Sequence, residues 1–455
     1  MMLWNYIREK MLEHPEQIVC EGDATMTYEE LCVFAEERGK TLEYPFYGIL
    51  CNSEMASAMA LLACISAEKT AIPFPFRYGK EYYLKLWEEA APPCMLTDRY
   101  GDLKEAPFCS ECEALPLPPP AAVILYTSGS TGTPKGVMLS EENLLSNIKD
   151  ISSYFPIGSN DTILISRPLY HSSVLTGEFL VALCSGAKIV FSSEPFQPLN
   201  MFSLVKKHRV TILGNTPTLL STLSRFIRKG TEHSVRLLSV SGECMTEGMA
   251  KTIRNAFPNA EIYCGYGLSE ASPRVAYLPA QLFDQFPTSA GVPLPCVSLK
   301  IVDEHGKAVE LGEIGELVMK GPNVMKGYFR DPKRTQTALK NGWLHTGDLA
   351  YIGPKGMLYI KGRKDDMIIR AGMNIYPAEV ENLLSSDSRV KDVLVYGYSK
   401  GDTQEVGMKI SGDFLDVKEV MELCRRRLSN FQLPSKVELI DNTEVFLGGK
   451  KRRKT

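Results

Sequence analysis

The sequence lacks any hydrophobic run long enough to cross a lipid bilayer. Its longest apolar stretch, MASAMALLACISA at residues 55–67, is shorter than a membrane-spanning helix and predicts a buried helix. The first residues, MMLWNYIREKMLEHPEQ, place charged side chains among the apolar ones and lack the core of a signal peptide. We therefore expect a soluble, cytoplasmic protein without a membrane span.

The sequence also lacks a strong excess of either charge and any cluster of metal or disulfide ligands. Its 51 Lys and Arg residues against 54 Asp and Glu give a net charge of -3, which argues against nucleic acid as a partner. The 12 cysteines are mostly scattered one at a time, and the 6 histidines are widely spaced. That pattern predicts reduced thiols, no disulfide framework and no structural metal site.

What the sequence does contain is a long alternation of helical and strand-like segments. Residues 1–120 and 161–275 alternate amphipathic stretches with short apolar runs such as DTILIS and VTILGN, which predicts an α/β architecture with parallel pairing. Residues 290–362 are typical of a barrel-like unit of short strands, and the remainder predicts a small α+β domain. We expect a large layered domain over residues 1–363 and a small one over 364–455.

A loop rich in hydroxyls and glycines follows the apolar run AAVIL. Residues 127–135 read TSGSTGTPK and combine small hydroxyl side chains, glycine amides and one lysine, which are phosphate-binding groups. The P-loop pattern G-x-x-x-x-G-K-[ST] does not fit, because Lys135 is followed by Gly136 and Val137. A flexible Ser/Gly linker is the other interpretation, although strand-like and amphipathic segments bound the loop closely. The loop predicts a site for a nucleoside triphosphate.

Five further motifs follow this loop in order along the chain. They are GYGLSEAS at residues 265–272, GELVMKGPNVMKGYFRDPKRT at 315–335, GWLHTGDLAYIGPKGMLYIKGRKDD at 342–366, IIRAGMNIYPAEVE at 368–381 and GGKKRR at 448–453. With them, nearly the whole chain resembles the adenylate-forming superfamily of acyl- and aryl-CoA synthetases, peptide-synthetase adenylation domains and luciferases. The resemblance implies ATP-dependent activation of a carboxylate to an acyl adenylate, release of pyrophosphate, and acyl transfer to a thiol.

The resemblance also implies which residues bind ATP and Mg²⁺. Glu270 would be the carboxylate ligand of Mg²⁺, Ser269 would contact the α-phosphate, and Asp348 would accept hydrogen bonds from the ribose hydroxyls. A helix cap with a first-turn acid, or an ordinary turn aspartate, would place the same residue types at these positions. The remaining nucleotide contacts, including the phosphate-binding loop and the tyrosine near the adenine, would be Thr127, Ser128, Gly129, Ser130, Thr131, Gly132, Thr133, Lys135, Gly242, Glu243, Tyr266, Gly267 and Arg363.

The small domain carries further residues that the resemblance identifies. Lys450 in GGKKRR is similar to the lysine that reaches the adenylation transition state, and the adjacent Lys451 is the alternative. Asp365 stands at the position of the hinge about which the small domain would rotate after adenylation. Gly372 stands at the glycine of the tunnel through which a pantetheine thiol would reach the acyl group.

Two local features favour the acyl-CoA synthetase branch over peptide-synthetase domains. The string NIYPAEVE is similar to acyl-CoA synthetases, and the loop PLYHSS at 168–173 has no aspartate to pair with the ammonium of an amino acid. His171 in that loop would be a catalytic gating residue, or else a packed core histidine. We expect coenzyme A as the acceptor. The alternatives are a stand-alone ligase that loads the phosphopantetheine of an acyl-carrier protein, and a catalytically silent nucleotide-binding sensor.

The pocket for the small carboxylic acid is expected around residues 171–178, 215–218, 241–243 and 271–274. Its polar candidates are Glu178, Glu243 and Arg274. The arginine is interpreted either as a ligand of a second substrate carboxylate or as the partner of a neighbouring acid. The identity of the acid is left open.

Overall fold

The computed structural model describes residues 2–75, 86–99, 102–107, 121–128, 134–192, 196–228, 230–370, 373–400, 403–414 and 416–440. The helices include α1 (Met2–Leu12), α2 (Tyr28–Lys40), α3 (Glu54–Ser66), α4 (Glu141–Tyr154), α5 (Ser172–Val174), α6 (Val181–Cys184), α7 (Pro198–Lys207), α8 (Pro217–Phe226), α9 (Glu247–Ala256), α10 (Pro332–Ala338), α11 (Pro377–Ser385) and α12 (Val417–Arg427). A π-helix covers Leu175–Leu180, and 3-10 turns cover Ser269–Ala271 and Lys364–Asp366.

Local capping explains where several helices begin. The Ser140 hydroxyl accepts a hydrogen bond from the Asn143 amide, and the Asn143 side chain accepts one from the Ser140 amide, which forms a capping box before α4. Thr27 and Glu30 form the same box before α2. The apolar run predicted as a buried helix is α3, which is buried along most of its length.

Sheet A carries the strand ends that form the candidate site. Its strands in spatial order are β15 (Val292–Pro293), β14 (Arg274–Leu278), β13 (Glu261–Gly267), β12 (Leu237–Ser241), β11 (Ile212–Asn215), β9 (Thr162–Ile165), β10 (Lys188–Phe191), β1 (Ile18–Glu21) and β2 (Ala24–Thr27). Pairing is parallel from β13 to β1 and antiparallel at both edges. Strands β11 and β12 are buried throughout, as expected where both faces of a sheet are covered.

Sheet B carries the phosphate-binding loop. Its strands in spatial order are β18 (Gly327–Tyr328), β8 (Pro134–Leu139), β7 (Val123–Ser128), β4 (Thr70–Pro73), β3 (Phe46–Leu50), β5 (Cys94–Arg99) and β6 (Asp102–Pro107). Strands β7 and β8 form an antiparallel hairpin in which Ser128 lies opposite Pro134. The hydroxyl-rich loop therefore connects two paired strands, and the amphipathic stretch after it divides into β8 and α4.

The barrel-like unit predicted for residues 290–362 is an antiparallel sheet. Its strands are β16 (Ser298–Val302), β17 (Gly315–Lys320), β19 (Leu339–Lys340), β20 (Trp343–Ile352) and β21 (Leu358–Arg363), in the order β16-β17-β20-β19 with β21 also paired to β20. The pairing of β20 with β21 places Asp348 directly opposite Arg363. Two residues that the sequence separates by a hairpin are thus cross-strand neighbours.

The last segment forms a small α+β unit. It contains β22 (Ile368–Arg370), β23 (Met373–Ile375), β24 (Val390–Lys400), β25 (Thr403–Gly412) and β26 (Lys436–Leu439), together with α11 and α12. One hydrophobic cluster of the described chain draws its members only from this unit, between Ile368 and Val437. The layered α/β architecture, the barrel-like unit and the α+β segment confirm the predicted fold class. Within the described ranges, no helix has the length and apolar character needed to traverse a bilayer.

Candidate active site

A cavity of about 1260 Å³ opens at the carboxyl ends of strands in sheet A, where ligands of open α/β sheets collect. The barrel-like unit and the start of α11 complete its walls. The predicted nucleotide and magnesium residues that line it are Thr127, Lys135, Gly242, Glu243, Tyr266, Gly267, Ser269, Glu270, Asp348 and Arg363, and the predicted hinge residue Asp365 lines it as well. The structure thus brings together residues from three separate motifs and from the loop after β12.

Two neighbouring strands of sheet A deliver several of these side chains. Strand β12 ends just before Gly242 and Glu243, and β13 ends at Gly267, just before the 3-10 turn that carries Glu270. A Cβ atom at position 267 would lie 2.1 Å from the carbonyl oxygen of Pro273, so this close backbone approach requires glycine. The glycine lets the chain turn sharply and present the acid to the cavity.

Asp348 is the centre of a buried polar cluster. Its Oδ2 accepts a hydrogen bond of 2.5 Å from the Tyr266 hydroxyl, and its Oδ1 accepts one of 3.1 Å from Arg363 Nη1. Arg363 Nη1 also donates to the carbonyl oxygen of Thr346, at 2.9 Å. Burial raises the pKa of the Asp348 carboxyl, although the Arg363 charge acts against this shift. Burial, with the neighbouring Asp348 charge, raises the pKa of Tyr266 well above its ordinary value.

Glu270 is the centre of a second cluster, on the side of the phosphate-binding loop. Its Oε1 lies 2.5 Å from Lys135 Nζ and accepts a hydrogen bond of 2.8 Å from the Tyr328 hydroxyl. Lys135 Nζ also donates to the Tyr328 hydroxyl oxygen, at 3.0 Å. Burial alone would raise the pKa of Glu270, but the charge and hydrogen bond of Lys135 outweigh it, so the net shift is downward. The carboxylate is therefore ionised at neutral pH.

The beginning of the phosphate-binding loop holds an unsatisfied polar atom. The Oγ1 of Thr127 is buried and has no hydrogen-bond partner among the described residues, and Thr127 lines the cavity. A buried hydroxyl without a partner is costly, which fits a position that a phosphate oxygen completes. The loop residues Gly129, Ser130, Thr131, Gly132 and Thr133, the side chain of Ser128, Gly372, Lys450 and Lys451 lie outside the described part of the chain.

The loop that carries His171 contacts the predicted α-phosphate residue, Ser269, which lines the cavity. Ser172, the next residue, has its hydroxyl oxygen 3.0 Å from that of Ser269. The loop is anchored from behind, because the Leu169 amide donates a hydrogen bond of 3.0 Å to the buried Glu54 carboxylate. The His171 ring lies 4.5 Å from the ring of Tyr170.

The small unit contacts the large one near the cavity. The Glu247 amide at the start of α9 donates to the Asn382 side chain, at 3.3 Å, and Lys361 Nζ lies 3.4 Å from a Glu379 carboxylate oxygen. Asp365 occupies the 3-10 turn between the last barrel strand and the small unit. Residues of both units therefore line one cavity.

The predicted acid pocket contains a second set of charges. Arg167 Nη2 lies 2.5 Å from Oε1 of Glu178, and both side chains are largely buried. Glu243 accepts a long hydrogen bond of 3.4 Å from the Thr218 amide. Arg274 is 4% exposed at the beginning of β14. Of the three polar candidates of the sequence, Glu243 lines the cavity, whereas Glu178 and Arg274 are buried residues outside its lining.

Three residues with clear roles in these clusters escape the sequence argument. Tyr328 and Thr346 lie inside the motifs at 315–335 and 342–366. Closer attention to the hydroxyl of Tyr328 could have identified it, whereas Thr346 contributes its backbone carbonyl, which residue type does not reveal. Arg167 follows a strand and precedes Pro168, with no local signal of its pairing to Glu178. Its partner is defined only by the packing of the π-helix against sheet A.

The chain matches the family model of the AMP-binding enzymes over residues 102–329. Feruloyl-CoA synthase of an Amycolatopsis species is 32% identical over 414 residues, which cover 86% of this chain and 84% of that protein. The match extends well beyond the family model at both ends.

Solved structures agree over nearly the full length. The o-succinylbenzoate CoA synthetase of Bacillus subtilis, in complex with its acyl-adenylate intermediate, has a TM-score of 0.85 and 26% identity, covering 99% of this chain and 97% of that one. The same enzyme with ATP and a magnesium ion has a TM-score of 0.82 and 26% identity, covering 96% of each chain. The chain therefore belongs to the AMP-binding enzyme family, as an AMP-forming acid–CoA ligase.

Proposed function

We propose that the cavity binds ATP and a small carboxylic acid, and that the reaction proceeds in two steps. An oxygen of the acid attacks the α-phosphorus, and the bond from that phosphorus to the bridging oxygen of the β-phosphate breaks, so that pyrophosphate leaves. The thiolate sulfur of coenzyme A then attacks the acyl carbon, and the bond from that carbon to the AMP oxygen breaks. The observation that carries this proposal is the meeting of the Glu270–Lys135 and Asp348–Arg363 pairs in one cavity.

Asp348 is the proposed ligand of the ribose hydroxyls. Each of its two oxygens already accepts one hydrogen bond from the protein, which orients the carboxylate and leaves further lone pairs for the ribose. The Arg363 guanidinium favours the ionised form of the Asp348 carboxyl, and it would add a cationic group beside the nucleotide. Tyr266, fixed through its hydroxyl, presents its ring as the neighbour of the adenine.

Glu270 is the proposed protein ligand of Mg²⁺. A single ionised carboxylate with hard oxygens fits the usual mode of Mg²⁺ binding, in which phosphates and water complete the coordination. When bound, Mg²⁺ would neutralise part of the charge of the phosphates. Lys135 would then exchange its contact with Glu270 for the β- and γ-phosphates, while the Tyr328 hydroxyl still donates to the carboxylate. The hydroxyls of the predicted phosphate-binding loop would add further contacts to the phosphates.

Ser269 is the proposed contact of the α-phosphate, and Ser172 beside it orients that hydroxyl. His171, one residue earlier in the same loop, is proposed to lie at the junction of the nucleotide and the acid. Its proposed role is to gate the acid pocket next to the reacting carboxylate. Gly242 and Glu243, after β12, form the wall on the other side of the nucleotide.

The small unit is the proposed mobile part. Its separate hydrophobic cluster and the short turn at Asp365 support rotation as a body about that residue. Lys450, or its neighbour Lys451, would reach the adenylation transition state in one orientation, and Gly372 would line the thiol tunnel in the other. The ten cysteines found as free thiols in the described residues support a reducing compartment such as the cytoplasm.

Pyrophosphate exchange with a panel of aliphatic, aryl and dicarboxylic acids tests the proposal. We expect acid-dependent exchange, followed by thioester formation with free coenzyme A. If no acid supports exchange although ATP binds, the activity is wrong and a silent nucleotide-binding protein is the better description. If the acyl group passes only to a phosphopantetheinyl carrier protein and not to coenzyme A, the acceptor is wrong and the carrier-loading ligase is correct.

A further inference from the structure

The buried guanidinium of Arg274 lies beside Gly265, a residue of the cavity lining. A Cβ atom at Gly265 would lie 1.6 Å from Nη1 of Arg274, and a Cβ atom at Gly177 would lie 3.4 Å from its Nη2. Gly265 itself lines the cavity. The guanidinium therefore occupies the space that a side chain at position 265 would fill, next to a glycine that lines the cavity.

This guanidinium has no anionic partner among the described residues. Its Nε is buried without a hydrogen-bond partner, and none of the ion pairs in the described ranges involves Arg274. Its polar neighbours are the Tyr154 hydroxyl and the Cys264 thiol. Burial raises the pKa of both groups, so both are neutral at physiological pH, even though the arginine charge opposes the shift.

The backbone of Arg274 is held firmly, which fixes where its side chain begins. The Arg274 amide donates to Asn147 Oδ1 at 3.1 Å, and its carbonyl oxygen accepts from Asn147 Nδ2 at 2.8 Å and from Asn323 Nδ2 at 2.9 Å. Asn147 and Asn323 are themselves completely buried. The position of the arginine is thus built into the fold and is not that of a surface side chain folded inward.

The nearest ion pair does not neutralise it. Glu178 already contacts Arg167 at 2.5 Å, and its carboxylate packs so closely on Gly214 that a Cβ atom there would lie 2.6 Å from Glu178 Cδ. Glu178 is therefore already paired with Arg167, and no ion pair between Arg274 and a carboxylate forms among the described residues. A buried unpaired charge is strongly unfavourable, and an anion from the substrate would remove the penalty.

From this geometry we propose that the preferred substrate is a dicarboxylic acid, whose second carboxylate binds Arg274 while the first is adenylated. This inference rests on the proposed function and specifies its substrate class. A guanidinium matches a carboxylate through two parallel hydrogen bonds, and the buried site strengthens them. An acid with an apolar end would leave the cation buried and unpaired, which disfavours it in the same pocket.

Pyrophosphate exchange with matched pairs of acids tests the inference. Each pair consists of a short aliphatic or aryl dicarboxylic acid and its mono-amide, which has nearly the same shape but a neutral end. We expect kcat/KM to favour the diacid by about 100-fold, the size of effect found when one partner of a buried charge pair is removed. Equal or better exchange with the neutral members would overturn the inference and leave the proposed function intact. No exchange with any acid would count against the proposed function itself.

Two variants locate the effect at Arg274. Arg274→Met keeps an unbranched side chain without the charge, and we expect it to abolish the preference for the diacid while the KM for ATP stays as in the wild type. Arg274→Lys keeps the charge without the planar fork and should retain part of the preference. An unchanged preference in Arg274→Met with normal ATP binding would show that the second carboxylate binds elsewhere. If the Met variant fails to fold, the comparison of matched acids with the wild-type protein still tests whether a second carboxylate is preferred.

Discussion

The predicted nucleotide site and the predicted acid pocket differ in how their cations are paired. At the nucleotide end, Lys135 pairs with Glu270 and Arg363 pairs with Asp348, so the cations already have anionic partners before a ligand arrives. At the acid end, Arg167 pairs with Glu178, but Arg274 has no carboxylate partner among the described residues. In the proposed function, Lys135 exchanges its partner when ATP binds, whereas Arg274 gains its first anionic partner from the substrate.

The difference separates two kinds of specificity. ATP is needed in every turnover, whichever acid is used. Ion pairs within the empty nucleotide site keep that site stable, and the phosphates need to displace only the contact of Lys135 with Glu270. An unpaired buried charge instead penalises the empty site and any ligand that does not neutralise it. Variants at the nucleotide end should therefore affect all acids alike, and variants at the acid end should change which acid is used.

The largest effect is expected for Glu270→Gln. Loss of the carboxylate charge removes the proposed magnesium ligand and leaves Lys135 without its partner, so kcat for pyrophosphate exchange should fall about 100- to 1000-fold. The measurement is exchange at increasing Mg²⁺ with several acids. Glu178→Gln is the matched change at the acid end, and it should leave the Mg²⁺ dependence as in the wild type. A fall that differs strongly from one acid to another would contradict the division between the two ends.

A smaller effect is expected for Asp348→Asn. Because hydrogen bonds to a charged group exceed those to a neutral one, the KM for ATP should rise about 10- to 100-fold for every acid. The sharper readout compares ATP with an analogue that lacks one ribose hydroxyl. The wild type should discriminate against the analogue, and the variant should do so much less. Unchanged discrimination would move the ribose contact to another residue.

The contact between the large unit and the small unit near the nucleotide end is tested by Gly248→Ala. A Cβ atom at Gly248 would lie 2.5 Å from the carbonyl oxygen of Ser385 in α11, while alanine suits a helix better than glycine does. We expect pyrophosphate exchange to slow several-fold, with little change in acyl transfer from supplied acyl adenylate. Gly158→Ala, at a position with nothing within 4 Å, is the control and should behave as the wild type. The opposite pattern would assign the observed contact of the two units to the thioester step.

The smallest effect is a contrast in the pH dependence of stability. The pKa of Glu270 is lowered in the folded protein, so its stabilising contribution is present above the unfolded pKa and is lost as the pH falls. The pKa of Asp348 is raised, so its contribution is lost as the pH rises through the folded value. Between about pH 3 and 5, the Tm of the wild type minus that of Glu270→Gln should therefore increase with pH and then level off. The same difference for Asp348→Asn should decrease. Parallel slopes would show that the two carboxylates have similar surroundings.

Local patterns in the sequence account for much of the fold. The alternating apolar runs predict the strands of sheet A, the run at 55–67 predicts the buried helix α3, and Ser140 predicts the start of α4, because each depends on residues near in the chain. The amphipathic stretch VMLSEENLLSNI shows the limit of such patterns. Its first residues pair with β7 as strand β8, and this pairing is set by a neighbour across the hairpin and not by local periodicity.

The candidate site also combines residues that local motifs predict with contacts that only tertiary packing creates. Motif order alone predicts Glu270, Asp348, Arg363 and the phosphate-binding loop, since each motif is short and its chemistry depends on residue type and spacing. The contact between Lys135 and Glu270 joins positions 135 residues apart, and Tyr328 reaches the same carboxylate from a third motif. No local signal predicts such a contact, because it arises from the packing of sheet B against the end of β13.

The sequence by itself determined the family chemistry of this protein: a nucleotide site built from hydroxyls, a lysine and two carboxylates at recognisable spacings. Only the tertiary structure decided the state of Arg274. The sequence is equally compatible with a neighbouring acid and with a second substrate carboxylate. The fold buries the guanidinium behind Gly265 and commits the nearby Glu178 to Arg167. The physical reason is that residue type gives the charge of a side chain. Burial and the distances to other charges determine whether that charge has a partner and how costly it is without one.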